Sequence, residues 1–231
     1  MSFSIVIPVL NEATCLPVLL DDIASQTLKP EIIIVSDCGS TDGTLDMLEE
    51  QYPDVVVVNA GKKSPAVARN VGSEGLKTDQ ILFVDADISL PNGFCQNLLE
   101  SHITSKADIS YPKFLSDGKS VMGAVHVSYV RMWLWFWRMV KPEKGIGGVI
   151  CIEREVFETL GKFDDGLIKG EDVDMYMKAS RAGYAINYCN SVNCYVSSRR
   201  TRGFGIVRTF LADGPVFSRL RKGKRDYSSY K

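Results

Sequence analysis

Acidic side chains recur in this 231-residue chain at the ends of short apolar runs, in a pattern suited to gripping an oxygen-rich ligand. Asp85 and Asp87 stand two apart directly after the run Ile81–Val84. Along an extended strand, residues i and i+2 project to the same side, so the two carboxylates are expected to converge. Such a pair suits a hard divalent cation that leaves most of its shell to water and phosphate oxygens. The other reading is a polar strand end that caps the next turn. Asp37 closes the run that begins at Ile32 and precedes Gly39-Ser40-Thr41-Asp42-Gly43. Its acceptor-only carboxylate could take an N–H from a base or hold a ribose hydroxyl, or the segment is plain turn chemistry. Asp42 stays open between a ligand and the cap of a helix starting at Thr44. Asn11 and Glu12 follow the run Phe3–Val9, in which Pro8 fixes the backbone. Glu12 also suits the start of the following helix.

Arg69 offers a fork of donors for a diphosphate or for one of these acids, and both roles remain open. Lys62 and Lys63 read as solvated lysines. The segment around them lacks the glycine spacing of a phosphate loop, and no G-x-G-x-x-G follows the first strand, so a dinucleotide dehydrogenase is disfavoured. Glu171, Asp172 and Asp174 fall in the first turn of a helix, where the dipole alone favours acids. Gly147 and Gly148 permit close backbone approach, or form a bare hinge. His102 and His126 read as structural.

These residues need a scaffold, and the runs supply one. Phe3–Val9, Ile32–Val35, Val55–Val58 and Ile81–Val84 are short and rich in Val and Ile, as strands covered on both faces are. Helices are expected at Pro17–Ser25, Thr44–Gln51, Pro65–Gly75 and Asn92–Ser101, so strand and helix alternate and imply a mostly parallel sheet. Such sheets bind ligands outside the carboxyl ends of their strands, where the polar residues lie. Further on, strands are expected at Asp108–Pro112, Val149–Ile152, Ala185–Cys189 and Asn193–Ser197, and helices at Val121–Val140, Arg154–Leu160 and Glu171–Ala182. The formal net charge of −1 provides no general field for nucleic acid. Basic residues concentrate from Arg199 to Lys231, a candidate contact for phosphate or anionic lipid. Six cysteines without C-x-x-C spacing, and no basic leader, lead us to expect a reduced, cytoplasmic protein. No run reaches the roughly 18–20 apolar residues of a spanning helix. All three tryptophans lie in Trp133–Trp137 beside Arg131 and Arg138, which fits a core helix, an oligomer seam or peripheral membrane contact.

Ile7–Glu12, Ile34–Thr44, Ala68–Gly72, Phe83–Asp87 and Gly170–Asp174, in that order and spacing, resemble family 2 of the GT-A glycosyltransferases over roughly residues 3–190. The resemblance implies a GT-A fold, a Rossmann-like, mostly parallel central sheet flanked by helices on both faces. It divides the chain into a catalytic domain at 1–205, with a nucleotide-binding half at about 1–105 and an acceptor-binding half at about 106–205, and a basic tail at 206–231. It implies inverting transfer of one sugar from a nucleotide-diphosphate-sugar donor to a hydroxyl of a glycan or lipid-linked acceptor, assisted by Mg2+ or Mn2+. Asp172 becomes the base and Glu171 positions acceptor or phosphate. Asp87 becomes the direct metal ligand, with Asp85 nearer the ribose or the metal's water. Pro8, Asn11, Glu12, Asp37, Asp42, Arg69, Arg199 and Arg202 line the donor. Processive members carry Gln-x-x-Arg-Trp where Ser197–Gly205 stands here, so a single-sugar transfer is expected. The remaining alternatives are a catalytically silent nucleotide-sugar-binding module and a nucleotidyltransferase, the latter lacking a glycine-rich basic loop after the first strand.

Overall fold

The computed structural model describes residues 2–121, 123–125, 127–129, 131–132, 148–167 and 170–198. Gly147, His126, Trp133–Trp137, Arg199, Arg202 and the tail at 206–231 lie outside the described residues. Eight strands form one sheet: β1 (Phe3–Val9), β2 (Ile32–Asp37), β3 (Val56–Asn59), β4 (Gln80–Val84), β5 (Ile88–Ser89), β6 (Ile109–Ser116), β7 (Val149–Glu153) and β8 (Ile186–Val196). Their order is β3-β2-β1-β4-β7-β6-β8-β5. The labelled helices are α1 (Leu16–Ser25), α2 (Thr44–Gln51), α3 (Pro65–Gly72), α4 (Phe94–Thr104), α5 (Arg154–Thr159) and α6 (Glu171–Arg181). Residues 121, 123–125, 127–129 and 131–132 are also helical.

The first four strands are parallel to one another; β1 and β4 are covered on both faces as their apolar runs suggested, whereas the edge strand β3 leaves Val56 and Val57 exposed. Alternation along them sorts side chains onto two faces. Phe3, Ile5, Ile7 and Val9 of β1, with Leu82 and Val84 of β4, pack against Leu16, Leu19, Leu20 and Ile23 of α1 and Leu98 of α4. Val6, Ile81 and Phe83 point the other way, onto Ala66 of α3, Phe157 of α5 and Tyr176 of α6. At about 1.5–3 kcal/mol for each large apolar side chain taken from water, these two layers supply the main favourable term in folding. The helix α3 carries the chain from β3 back over β2 and β1 to β4, so strand order reverses between β1 and β4. Sheets with such a reversal bind their ligands above the carboxyl ends at that point. This helix lies unusually close to the sheet. A Cβ built on Gly72 would sit 2.6 Å from Val6 Cγ1, and the small Ala66 and Ala68 complete the contact face.

The second half of the sheet is mixed rather than parallel. β7 enters antiparallel between β4 and β6, and β6 pairs parallel with β8. Two strands expected at 185–189 and 193–197 are a single strand, β8, whose register against β6 jumps from Pro112↔Cys189 to Lys113↔Asn193. The polar interruption that suggested a break is a bulge. The short β5, pairing antiparallel with the end of β8, had no signal of its own. One expectation needs correcting: β4 stops at Val84, before Asp85. Asp85 and Asp87 instead occupy a turn closed by the Ile88 N–H donating to the Asp85 carbonyl at 3.1 Å, so strand alternation does not relate their side chains.

Candidate active site

At this switch point stands Arg69, in the last turn of α3 and only 3% exposed. Its Nη1 donates to Glu171 Oε1 at 2.5 Å and its Nη2 to Asp85 Oδ1 at 2.6 Å. The guanidinium lies over the Phe163 ring, 5.3 Å from the centroid. Burial works against the cation, but the carboxylates of Asp85 and Glu171, with a further contribution from Asp172, outweigh it and hold Arg69 above its ordinary pKa. Of its two open roles, the one the structure displays is pairing with acids. One of those acids comes from the end of β4, the other from the first turn of α6. Arg69 thereby joins the two halves of the sheet.

Asp85 is held on its other side by Gly148. The Asp85 N–H donates to the Gly148 carbonyl at 2.6 Å, and a Cβ on Gly148 would fall 2.6 Å from Asp85 Oδ2 and 2.9 Å from its Cβ. Glycine is therefore required here by close approach, since the atoms it would strike include the stem of the acid and not only its tip. Across the 85–88 turn, the Asp87 carbonyl accepts the Ser197 N–H at 2.9 Å, which brings the end of β8 to the same rim.

Beside this centre, the loops after β1 and β2 are laced together. The strand register sets Val9 opposite Asp37 and Asp37 opposite Asn59, so these residues share one rim, and Pro8 pairs with Ser36 just below it. Asn11 adopts φ 57°, a left-handed conformation that asparagine tolerates. Its Oδ1 accepts the Thr41 N–H at 2.8 Å and its own N–H donates to Ser40 Oγ at 2.8 Å. The buried Glu12 donates its N–H to Thr44 Oγ1 at 3.0 Å. Asp42 accepts the Ala13 N–H at 3.2 Å, the Thr44 N–H at 3.1 Å and the Thr44 hydroxyl. The Thr44 hydroxyl first, then the backbone N–H groups, hold this exposed carboxyl below its usual range. Asp37 is buried and accepts from its own turn, from the Gly39 N–H at 2.9 Å and the Ser40 N–H at 3.1 Å. Turn chemistry is thus realised at Asp37 and Asp42. A carboxylate offers about four lone-pair sites, so these bonds leave acceptor capacity for a ligand. Cys38, the next residue, packs on Ala60 and on Ala68 of α3, which ties this rim to that helix, and burial pushes its thiol above the ordinary pKa.

Among the described residues, no group of three or more His, Cys, Asp or Glu side chains gathers closely enough to hold a metal alone. Asp87 and Asp85 are hard oxygen donors at the rim, and Asp85 already spends Oδ1 on Arg69. The donor set therefore fits a cation such as Mg2+ or Mn2+ that takes few protein ligands and fills its shell with phosphate oxygens and water. His102 is structural: its ring bonds Ser110 Oγ at 2.8 Å and Glu153 Oε1 at 3.1 Å in the core. All six cysteines are free thiols. Among the described residues, no helix is long and apolar enough to cross a membrane. Sequence reasoning missed Phe163 and Asn70. The signals were Asn70 standing next to Arg69, and Phe163 set between Lys162 and Asp164 in a loop.

The model of glycosyl transferase family 2 matches residues 4–152, and that of glycosyl transferase family group 2 matches residues 80–228. The succinoglycan biosynthesis protein ExoA of Rhizobium meliloti is 28% identical over 204 residues, covering 79% of this chain and 59% of its own length. The O-antigen chain rhamnosyltransferase RfbN of Salmonella typhimurium is 27% identical, covering 82% and 64%. Among solved structures, the mannosyltransferase PcManGT from Pyrobaculum calidifontis, in complex with GDP-Man and Mn2+, aligns with TM-score 0.69 at 21% identity, over 96% of this chain and 65% of its own. S. aureus TarS in complex with UDP-GlcNAc aligns with TM-score 0.68 at 19% identity, over 90% and 61%. These structural neighbours establish the GT-A fold. The chain spans about three fifths of the length of the first curated relatives it matches.

Proposed function

The chain belongs to glycosyl transferase family 2, and from that premise we propose that it is an inverting enzyme moving a single sugar from a nucleotide-diphosphate-sugar to an acceptor hydroxyl. The observation that carries this reading is the bridge Asp85–Arg69–Glu171, which fastens the donor-side rim to the helix start bearing Asp172. A transfer with inversion needs a base on one side of the anomeric carbon and a stabilised leaving group on the other. The β1–α1 and β2–α2 loops, with Asp37 and Glu12, take the nucleoside. Asp172 accepts the proton of the acceptor hydroxyl as that oxygen bonds to the anomeric carbon, and the bond to the diphosphate breaks with its electron pair leaving on phosphate oxygen. Glu171, locked by Arg69, orients the acceptor side. A divalent cation held through Asp87 and Asp85, when bound, would offset the charge developing on the diphosphate.

The nucleotide-sugar class is supported by two neighbours crystallised with GDP-Man and UDP-GlcNAc, and a glycan acceptor by the names of the curated relatives. A lipid-linked acceptor at the cytoplasmic face of a membrane accords with the aromatic stretch Trp133–Trp137 and the basic residues of 206–231, and Arg199 and Arg202 would extend the diphosphate contacts. In this reading residues 1–205 are the catalytic unit and 206–231 a basic appendage.

Titration with UDP-, GDP- and dTDP-sugars by thermal shift, with and without Mn2+, tests donor class and cation together, because a ligand bound only by the native state raises the melting temperature. Turnover of the sugar nucleotide so identified is then expected, and is lost in Asp172→Asn while donor binding stays. Binding without turnover in the wild type would instead support a silent nucleotide-sugar-binding module. Release of diphosphate from a nucleoside triphosphate would support a nucleotidyltransferase.

A further inference from the structure

The residue after Arg69 carries a set of bonds that the transfer mechanism leaves unused. Asn70 faces the loop 161–167, which runs from the end of α5 toward α6. Its Nδ2 donates to the Phe163 carbonyl at 2.9 Å, and the Phe163 N–H donates back to Oδ1 at 3.0 Å. The same Nδ2 donates to Asp165 Oδ1 at 2.6 Å. A primary amide is the side-chain group that can answer a backbone N–H and C=O together, as a neighbouring strand would. The Phe163 ring meanwhile lies under the Arg69 guanidinium and packs on Phe83 and Phe157, with centroids 5.1 and 5.4 Å away. Two consecutive residues of α3 thus grip one loop residue, Arg69 by its ring and Asn70 by its backbone. The loop is tied again by Lys62 Nζ donating to the Asp165 carbonyl at 3.3 Å, and by Lys178 Nζ of α6 donating to the Lys162 carbonyl at 2.8 Å.

We propose that Asn70 is a positioning residue that locks the loop 161–167 against α3 and thereby fixes where α6 presents Asp172 relative to Arg69. The proposal rests on the reading of Asp172 as the base. Its force comes from the sensitivity of transfer to geometry, since a misplacement of about 1 Å can cost on the order of 10²-fold in rate. Arg69 alone does not complete the lock, because it meets the loop at the Phe163 ring face and leaves that residue's backbone to Asn70.

The test uses Asn70→Asp in the full chain, which keeps the acceptor for the Phe163 N–H, loses both donated bonds and faces Asp165 with like charge. Adding Asp165→Asn supplies a donor from the opposite side. Three quantities are read: amide exchange at Phe163, affinity for UDP and GDP with Mn2+, and kcat with the sugar nucleotide that the wild type uses. Asn70→Asp should speed Phe163 exchange and lower kcat by about 10–100-fold while nucleotide affinity stays within about threefold, and the double variant should recover most of the lost kcat. Faster exchange with kcat unchanged would overturn the positioning role. So would a parallel loss of kcat and nucleotide affinity, or a double variant no better than the single one. If the wild type turns over no sugar nucleotide, the functional reading fails and the positioning role falls with it. If the wild type is active and Asn70→Asp keeps full kcat, the positioning role alone fails.

Discussion

The two halves of the sheet solve the same problem, holding acids at a rim, by different means. On the side of β1, β2 and β3 the acids are managed locally. Asp37 is satisfied by N–H groups within three residues of itself and Asp42 chiefly by the hydroxyl and N–H of Thr44, with one longer reach from the Ala13 N–H, in turns that the chain forms where Gly, Ser and Asp cluster. Where α6 meets β4 the acids are managed at long range, through a buried cation 102 positions from Glu171 and 16 from Asp85. Local bonding leaves a rim that tolerates change one residue at a time. Long-range ion pairing makes the other side depend on a single side chain, since removing one partner strands a charge without water.

The sharpest way to probe the contrast is at the α6 end. Asp172→Asn should cut turnover by about 10²–10⁴-fold, the span of a general base, with nucleotide affinity retained in a binding titration. Arg69→Met should lower the free energy of unfolding by about 3–5 kcal/mol in urea, because Glu171 and Asp85 lose their shared counter-charge. Two glycines separate stability from chemistry. Gly72→Ala forces a methyl group against Val6 and should cost about 1–3 kcal/mol, visible as a lower melting temperature with little change in nucleotide affinity. Gly148→Ala pushes on the Asp85 side chain, and its larger signature should be in kcat. At the local rim the smallest effect is expected. The Thr44 hydroxyl lowers the Asp42 pKa in the folded state, so that contribution is complete above the usual carboxylate pKa of about 3.9 and disappears as pH falls through the lower folded value. Asp42→Ala should therefore shift the urea midpoint slightly at pH 7, with the difference from wild type closing toward acid pH. An effect of Asp42→Ala as large as that of Arg69→Met would erase the distinction between the two halves.

The parallel half was legible because its information is local. Short continuous apolar runs, Pro65 opening α3 and the Gly-Ser-Thr-Asp-Gly turn all act within a few residues, and the helix expected at Thr44–Gln51 has those bounds in α2. The second half was harder for a physical reason. The polar Asn190 and Ser191 at the bulge of β8 look like a break in sequence, and only pairing with β6 reveals them as an excursion within one strand. Both acids of the D-x-D pattern lie at the rim, but the extended backbone that would align their side chains ends one residue too early, at Val84. The choice of partner for Arg69 was not legible at all, because diphosphate and carboxylate offer a guanidinium the same geometry and only the fold brings Glu171 within 2.5 Å.

The insertion of β7 between β4 and β6 also bears on how the chain is made. Every residue of β4 is buried, and among the described residues one of its two edges pairs with residues 149–153 alone. A ribosome that has released the first hundred residues has therefore delivered a half-sheet in which β4, buried throughout in the finished fold, still presents unpaired N–H and C=O groups. Nascent or truncated chains ending before residue 149 should recruit chaperones or pair with one another along that exposed border.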